Sequence, residues 1–441
     1  MKITHRILTV LLLAIFFNQL NAQKSLLQSG PMLGYTDMLE SMIWVQTKSS
    51  AKVQIAYWER DTVSERYLTQ VVRTLRKDGF TAHLVADQVE PGKVYTYELL
   101  INDVPIKFDY PTEFQTQPLW QWRTDPPPFK VALGSCFYVS EKKYDRPGKP
   151  YGGDYHIFNA LHEQRPDLML WLGDNTYLRE VDWYTRTGFI HRYTHTRSLP
   201  ELQPLLASTH HYAIWDDHDY GPNDSDRSFI HKDLAKEIFE LFWANPSYGL
   251  PGKEGITSWF KFADMDFFLL DNRTFRNPNR RVSGDQVLLG EDQMEWLIDA
   301  LVASRAPFKL VCIGGQVLNP RKKFESYANL CPEERTYLLK RISEEGVKNV
   351  VFLTGDVHHS ELSKLELSSG SVVYDLTVSP LTSGVYEADG DNSLLEEGTV
   401  VNERNFGIIE FTGPRTERVM TMRIFNSDGE EKWSREIQSE R

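Results

Sequence analysis

The sequence predicts a β-sandwich of immunoglobulin or fibronectin type over residues 23–120, followed by an α/β layered domain over residues 128–441. Three observations carry this. From about residue 28 to 118, short runs of β-formers are separated by turn residues, with no helical periodicity. Pro126, Pro127 and Pro128 then interrupt the chain and mark a boundary. Beyond them apolar strands alternate with amphipathic helical stretches, the pattern of layered α/β proteins.

In the first region SMIWVQT, KVQIAYWE, YTYELLIN and IKFDY are the predicted strands, and Asp78–Phe80 and Pro91–Lys93 the turns. In the second, a helix in DYHIFNALHEQ lies between the strands KVALG and LMLWLG. A helix near Glu291 puts Met294, Leu297, Ile298 and Leu301 on one face. Another starts at Pro332, where Glu333 and Glu334 suit the positive end of a helix dipole. IFELFWAN is core, and VVYDLTVSP, FGIIEFTG and RVMTMRIFN are the closing strands. No internal repeat is present.

Composition sets the outer limits. The chain has 441 residues, and at about 150 per domain this allows two or three domains. With 41% hydrophobic and 25% charged residues it is neither disordered, collagen-like, coiled-coil nor a multi-span membrane protein. Lys2 and Arg6 precede an apolar run from Ile7 to Phe17, far short of the roughly 20 residues of a membrane span. Residues 1–22 are therefore expected to be a signal peptide cleaved after Ala22, giving export to the periplasm or the medium. No cysteine near that point offers a lipid anchor. The net charge of −12 disfavours nucleic acid as a partner. Three cysteines, Cys136, Cys312 and Cys331, leave at least one thiol unpaired; a Cys312–Cys331 disulfide and buried reduced thiols are both open.

Chemistry gathers at strand ends. KVALGSC, LMLWLGDNTY, HYAIWDDHD, DFFLLDNRTFR, KLVCIGGQ and VVFLTGDVHH each close an apolar run with reactive residues. Ligands of layered α/β folds bind beyond the carboxyl ends of strands, so Cys136, Asp174, Tyr177, Asp217, His218, Arg273, Gln316, Asp356 and His358 should share one rim. Singly, each cluster would be a solvated loop or a cap; six in the same position outweigh that reading. Oxygen donors suit hard cations, while thiolate, phenolate and imidazole suit a transition metal. The mixed set points to two unlike metals sharing a carboxylate, with Asp174 as the bridge. No phosphate-binding P-loop, GxSxG elbow or HExxH motif is present.

The ordered set GSC, GDNTY, DDHD, GGQ and GDVH resembles the alkaline phosphatase D family of the metallophosphoesterases, related to purple acid phosphatases through GDxxY. The resemblance covers nearly the whole mature chain and implies a four-layer α/β sandwich and hydrolysis of a phosphate ester. It implies that Cys136, Asp174, Tyr177 and His358 hold Fe3+. Asp174, Asp217 and Asp356 would then hold Ca2+, with Asn223 as a further oxygen ligand that also meets substrate. Gln316 stands where more distant relatives place a histidine ligand. Family members commonly carry a twin-arginine signal; Lys2 and Arg6 are not an adjacent pair, which points to export of an unfolded chain.

His218, with Asp219 beside it, is the expected acid for the leaving alkoxide, Asp219 fixing its tautomer. Arg273 is expected to take non-bridging phosphate oxygens, with Arg276 as its substitute or the partner of a surface acid. His359, next to His358, is expected either to support a ligand from behind or to be structural. Residues 182–209, with Arg186, His191, Arg192, His195 and Arg197, form either a lid above the metals or a solvated helical insertion. The function expected is metal-dependent phosphoric ester hydrolysis. Its rivals are a phosphodiesterase acting on nucleotides, lipids or cell-wall polymers, and a non-catalytic cation-binding module.

Overall fold

The structure, a computed structural model, describes residues 25–62, 65–388, 390 and 392–440. The expected signal peptide lies outside the described residues. No helix among the described residues is long and apolar enough to cross a membrane.

Two sheets form the centre. The first has nine strands in the order Glu431–Gln438, Val419–Asn426, Asn405–Thr412, Phe129–Gly134, Leu168–Leu172, His210–Ile214, Leu27–Thr36, Ser41–Thr47 and Thr81–Ala86. The second has six, in the order Ser258–Phe262, Met265–Leu269, Lys309–Cys312, Val350–Thr354, Val372–Thr377 and Glu361–Glu366. The middle strands of each run parallel, so their carboxyl ends gather on one side.

Side-chain alternation produces the layers. Val131, Leu133, Leu168, Leu170, Leu310, Cys312, Val351 and Leu353 point between the two sheets and make an apolar core. Ala132, Met169 and Trp171 face outward beneath the helices Ile157–Glu163 and Lys232–Phe242. Val311, Ile313 and Phe352 face the other way, beneath Glu291–Ala303 and Pro332–Glu344. The result is helix, sheet, sheet, helix, a four-layer α/β sandwich. Met294, Leu297, Ile298 and Leu301 are buried as their spacing requires.

A third sheet, built on Lys52–Glu59 and Val94–Ile101, packs against the N-terminal strands to form the β-sandwich. Ile43, Val45 and Leu84 from one side meet Ile55, Tyr57 and Leu99 from the other. IKFDY is not a strand: the chain pairs at Val104–Pro105 and again at Glu113–Gln115, while Ile106 and Phe108 only pack on the core. The sandwich is not a separate bead. Leu27–Thr36 pairs in parallel with His210–Ile214 at Leu33 and His210, carrying the α/β sheet on into the N-terminal strands.

All three thiols are free and buried. Cys312 lies between the sheets and Cys331 in the outer helical layer. Their opposite sides of the sheet settle the open pairing in favour of reduced thiols.

The segment 182–209 is not a solvated insertion. Its helix, Arg186–Arg197, starts on a Thr185 cap and buries Phe189 and Tyr193. Arg192 pairs with Asp182 at 2.8 Å and with Glu141 at 3.0 Å. The Arg197 guanidinium lies over Trp243, 4.0 Å from the ring centroid.

Candidate metal centre

Four expected ligands share one backbone feature. Cys136, Asp174, Asp356 and His358 have φ of 57°, 53°, 70° and 61°. This left-handed conformation is costly for residues with a Cβ and persists where surrounding structure enforces it, often at functional sites. Each follows a buried strand: Phe129–Gly134 for Cys136, Leu168–Leu172 for Asp174, and Val350–Thr354 for Asp356 and His358. The strand turns sharply as it leaves the sheet and aims the side chain back over the rim. Two motif glycines allow the loops to close. A Cβ on Gly314 would lie 2.6 Å from Asp216 Cγ, and one on Gly355 2.5 Å from Ser135 Oγ.

Ligand atoms of Cys136, Asp174 and His358 all lie within 4.8 Å of one another. Cys136 Sγ is 3.7 Å from Asp174 Oδ2 and accepts from Ser379 Oγ at 3.2 Å. Tyr177 Oη is 3.2 Å from His358 Nε2. On the far side of that ring, Nδ1 donates to the Gly384 carbonyl at 2.6 Å. That bond fixes the tautomer that leaves Nε2 free to bind a metal. A second group joins Asp174, Asp217 and His218, and a third Asp216, Asp217 and Glu325, each again within 4.8 Å. Asp174 belongs to the first two groups, the position a bridging carboxylate requires.

Electrostatics show what this costs. Burial, then the neighbouring carboxylates, push Asp174 and Asp356 well above the usual carboxyl range. Asp216 rises to about 6, burial outweighing Arg273. In Asp217 burial also opposes ionisation, but His218, Arg273 and the Asp224 N–H overcome it, and its carboxyl stays acidic. Burial drives the Cys136 thiol up and takes His358 down to about 4. A thiol, a phenol, an imidazole and several carboxylates thus converge with too little positive charge beside them. This donor set fits bound cations, a transition metal at the sulfur end and a hard cation at the carboxylate end.

Other expected residues are placed differently. Arg273 is fully buried and spent on acids: it pairs with Asp216, donates to Glu325 at 2.6 Å and to the Ser225 carbonyl at 3.2 Å. Arg276 pairs with the same Glu325, a buried acid rather than a surface one. Asp219 does not meet the His218 ring. Its carboxylate accepts from the Asp216 N–H at 3.0 Å, completing the capping box of the helix Asp217–Tyr220. His218 is instead fixed through its backbone N–H, which donates to Asp217 and Asp174, while its ring lies 4.2 Å from that of Tyr177. Asn223 is exposed on the following loop, whose Asp224 N–H donates to Asp217 Oδ2 at 2.6 Å. Gln316 is held by Glu361, Thr377 and Asn319 at both ends of its amide. His359 sits beside Glu361 at 3.6 Å, a structural pair.

Three participants were not expected. Asp216 was readable as the first acid of DDHD. Glu325 comes from a polar loop with no strand before it, so nothing in the sequence marks it. Tyr151, whose Oη is 3.2 Å from His358 Nδ1, is likewise carried on an irregular loop.

A four-layer sandwich with such a rim is the architecture of the metallophosphoesterases. A solved alkaline phosphatase D structure superposes with a TM-score of 0.74 at 16% identity, covering 93% of this chain and 92% of that one. The purple acid phosphatase from yellow lupin (Lupinus luteus) seeds gives 0.65 at 12% identity, covering 92% and 74%. The PhoD-like phosphatase family model matches residues 135–414, and the chain belongs to that family. A domain of unknown function (DUF7800) matches residues 24–119. Alkaline phosphatase D of Bacillus subtilis (strain 168) is 24% identical over 337 residues, 65% of this chain. The match spans about half of that relative, 54% of its length.

Proposed function

We propose that the chain is an exported, metal-dependent phosphoric ester hydrolase, with Cys136, Asp174, Tyr177 and His358 holding Fe3+. Asp174, Asp217 and Asp356 would hold Ca2+, with Asn223 as a further oxygen ligand. The observation that carries this is the convergence of thiol, phenol, imidazole and shared carboxylate at strand ends held in left-handed conformations. Export rests on Lys2, Arg6 and the apolar run after them. Residues 23–120 form the β-sandwich region and 128–441 the catalytic region of this reading.

Bound metals supply Lewis acidity, which activates water and offsets the charge of the ester. The chain's own residues do the rest. His218 stands over Tyr177 with its backbone locked to Asp174 and Asp217, so its imidazole is fixed beside the reacting ester as donor to the departing alkoxide. Asp219 positions the helix that carries His218. Arg273 acts as a strut that sets Asp216 and Glu325 against Asp217, and touches phosphate only if those pairs open.

The test is hydrolysis of p-nitrophenyl phosphate and bis-p-nitrophenyl phosphate by the mature protein, with chelator and after Ca2+ is restored. Turnover that chelator removes and Ca2+ returns is expected, and the ratio of the two rates separates monoesterase from diesterase. Full metal content and full turnover in both Asp174→Asn and Asp217→Asn would overturn the reading.

A further inference from the structure

At the opposite end of the sandwich, where the central strands begin, lies a cleft of about 560 Å³ that runs into a second of about 250 Å³. The two meet at Arg305, Pro307 and Arg415, which line both. Lys309, first residue of its strand, lines the larger part; Trp120 and Trp122 line the smaller.

Cations outnumber acids along the lining. Arg305 and Arg415 are exposed, and among the described residues their side chains make no hydrogen bond or ion pair. The buried Lys309 ammonium donates to the carbonyls of Ala306 at 3.0 Å and Lys348 at 3.3 Å, neither of which carries a charge. Most nearby acids are already answered: Asp264 by Arg418 at 2.9 Å, Asp266 by Lys261 at 3.5 Å and Glu345 by Arg341 at 3.3 Å, leaving Asp125 and Glu440. This basic cleft belongs to a chain of net charge −12.

Its walls are fixed. Arg418 ties Asp264 to the Pro127 carbonyl, Asp125 accepts the Arg415 backbone N–H at 3.0 Å, and Asn349 is paired with the backbone of Glu440 in both directions. Trp122 is 92% exposed and held with φ of 58°. A large indole left in water beside two free guanidinium groups is a stacking surface for a sugar ring next to sites for its acidic substituents.

We infer that this cleft is a binding groove for a linear acidic polysaccharide, separate from the metal centre. Two connected chambers with cations at their junction suit an extended chain better than a compact anion. The inference does not depend on the hydrolase reading, since it needs neither metal nor turnover.

Affinity electrophoresis of the whole protein through gels containing dextran sulfate, dextran or polyphosphate tests it. Dextran sulfate should retard the protein, less so at higher salt. Neutral dextran should not, and polyphosphate, which has no ring for Trp122, should retard it less. Arg305→Glu with Arg415→Glu should weaken dextran sulfate retention at least about tenfold, since each reversed charge turns an attraction into a repulsion. Trp122→Ala should weaken dextran sulfate retention and leave polyphosphate unchanged. Retention by dextran sulfate that survives the double charge reversal overturns the groove. Equal retention by polyphosphate, or no effect of Trp122→Ala, overturns the polysaccharide as its occupant.

Discussion

At the scale of single residues, the division of labour is between groups aimed at the centre and groups that hold them. Asp174 belongs to two donor groups, so Asp174→Asn should lower metal content and turnover by at least about a hundredfold, read by metal analysis and p-nitrophenyl phosphate hydrolysis. Arg273 is the opposite case. Removing one partner of a buried charge network costs about 3–5 kcal/mol, so Arg273→Ala should lose stability on that scale in urea unfolding. A residue that mainly gripped phosphate would instead raise KM and leave stability alone. The ligand candidates were legible because each closes an apolar run in a recognisable motif. The partners of Arg273, Arg276 and Asp219 were not. Sequence places an arginine near phosphate chemistry, but only packing shows that Glu325, from a distant polar loop, has already taken it.

At the scale of elements, patterning carried most of the information. The helices at Ile157, Glu291 and Pro332 and nearly all the strands lie where periodicity put them. What patterning missed was pairing, because edges do not name their neighbours. The seam between Leu27–Thr36 and His210–Ile214 is the main example. There His210 Nδ1 donates to the Gly34 carbonyl at 2.8 Å, and burial takes the ring down to about 4. With the folded value depressed, its contribution is complete above the unfolded value near 6.5 and is lost as pH falls toward 4. Going from pH 7 to pH 5 should therefore cost about 2 kcal/mol through this residue. His210→Asn, which keeps an N–H donor without a titrating ring, should show that much less pH dependence. Urea unfolding of both proteins at the two pH values measures the difference.

At the scale of the whole molecule, a composition break at the prolines suggested two bodies, while the structure joins them through one sheet and a shared core. Trp44 of the N-terminal region packs against Phe242, 5.9 Å between ring centroids, and lies under Arg197. Residues 128–441 produced alone should expose the edge of His210–Ile214 together with that aromatic surface. The expected outcome is an aggregating, protease-sensitive product, whereas the chain from residue 23 should unfold in one transition by circular dichroism. A soluble fragment with native far-ultraviolet and near-ultraviolet spectra would refute this.

The order of strands in the large sheet also sets a timetable for synthesis. Phe129–Gly134, which leads into Cys136, is flanked on one side by Asn405–Thr412, and two further hairpin strands complete that edge. Until those late segments have left the ribosome, the strand has no partner there, and such long-range closure is slow. A nascent chain halted before Asn405 would already contain every donor of the centre and still be unable to assemble it.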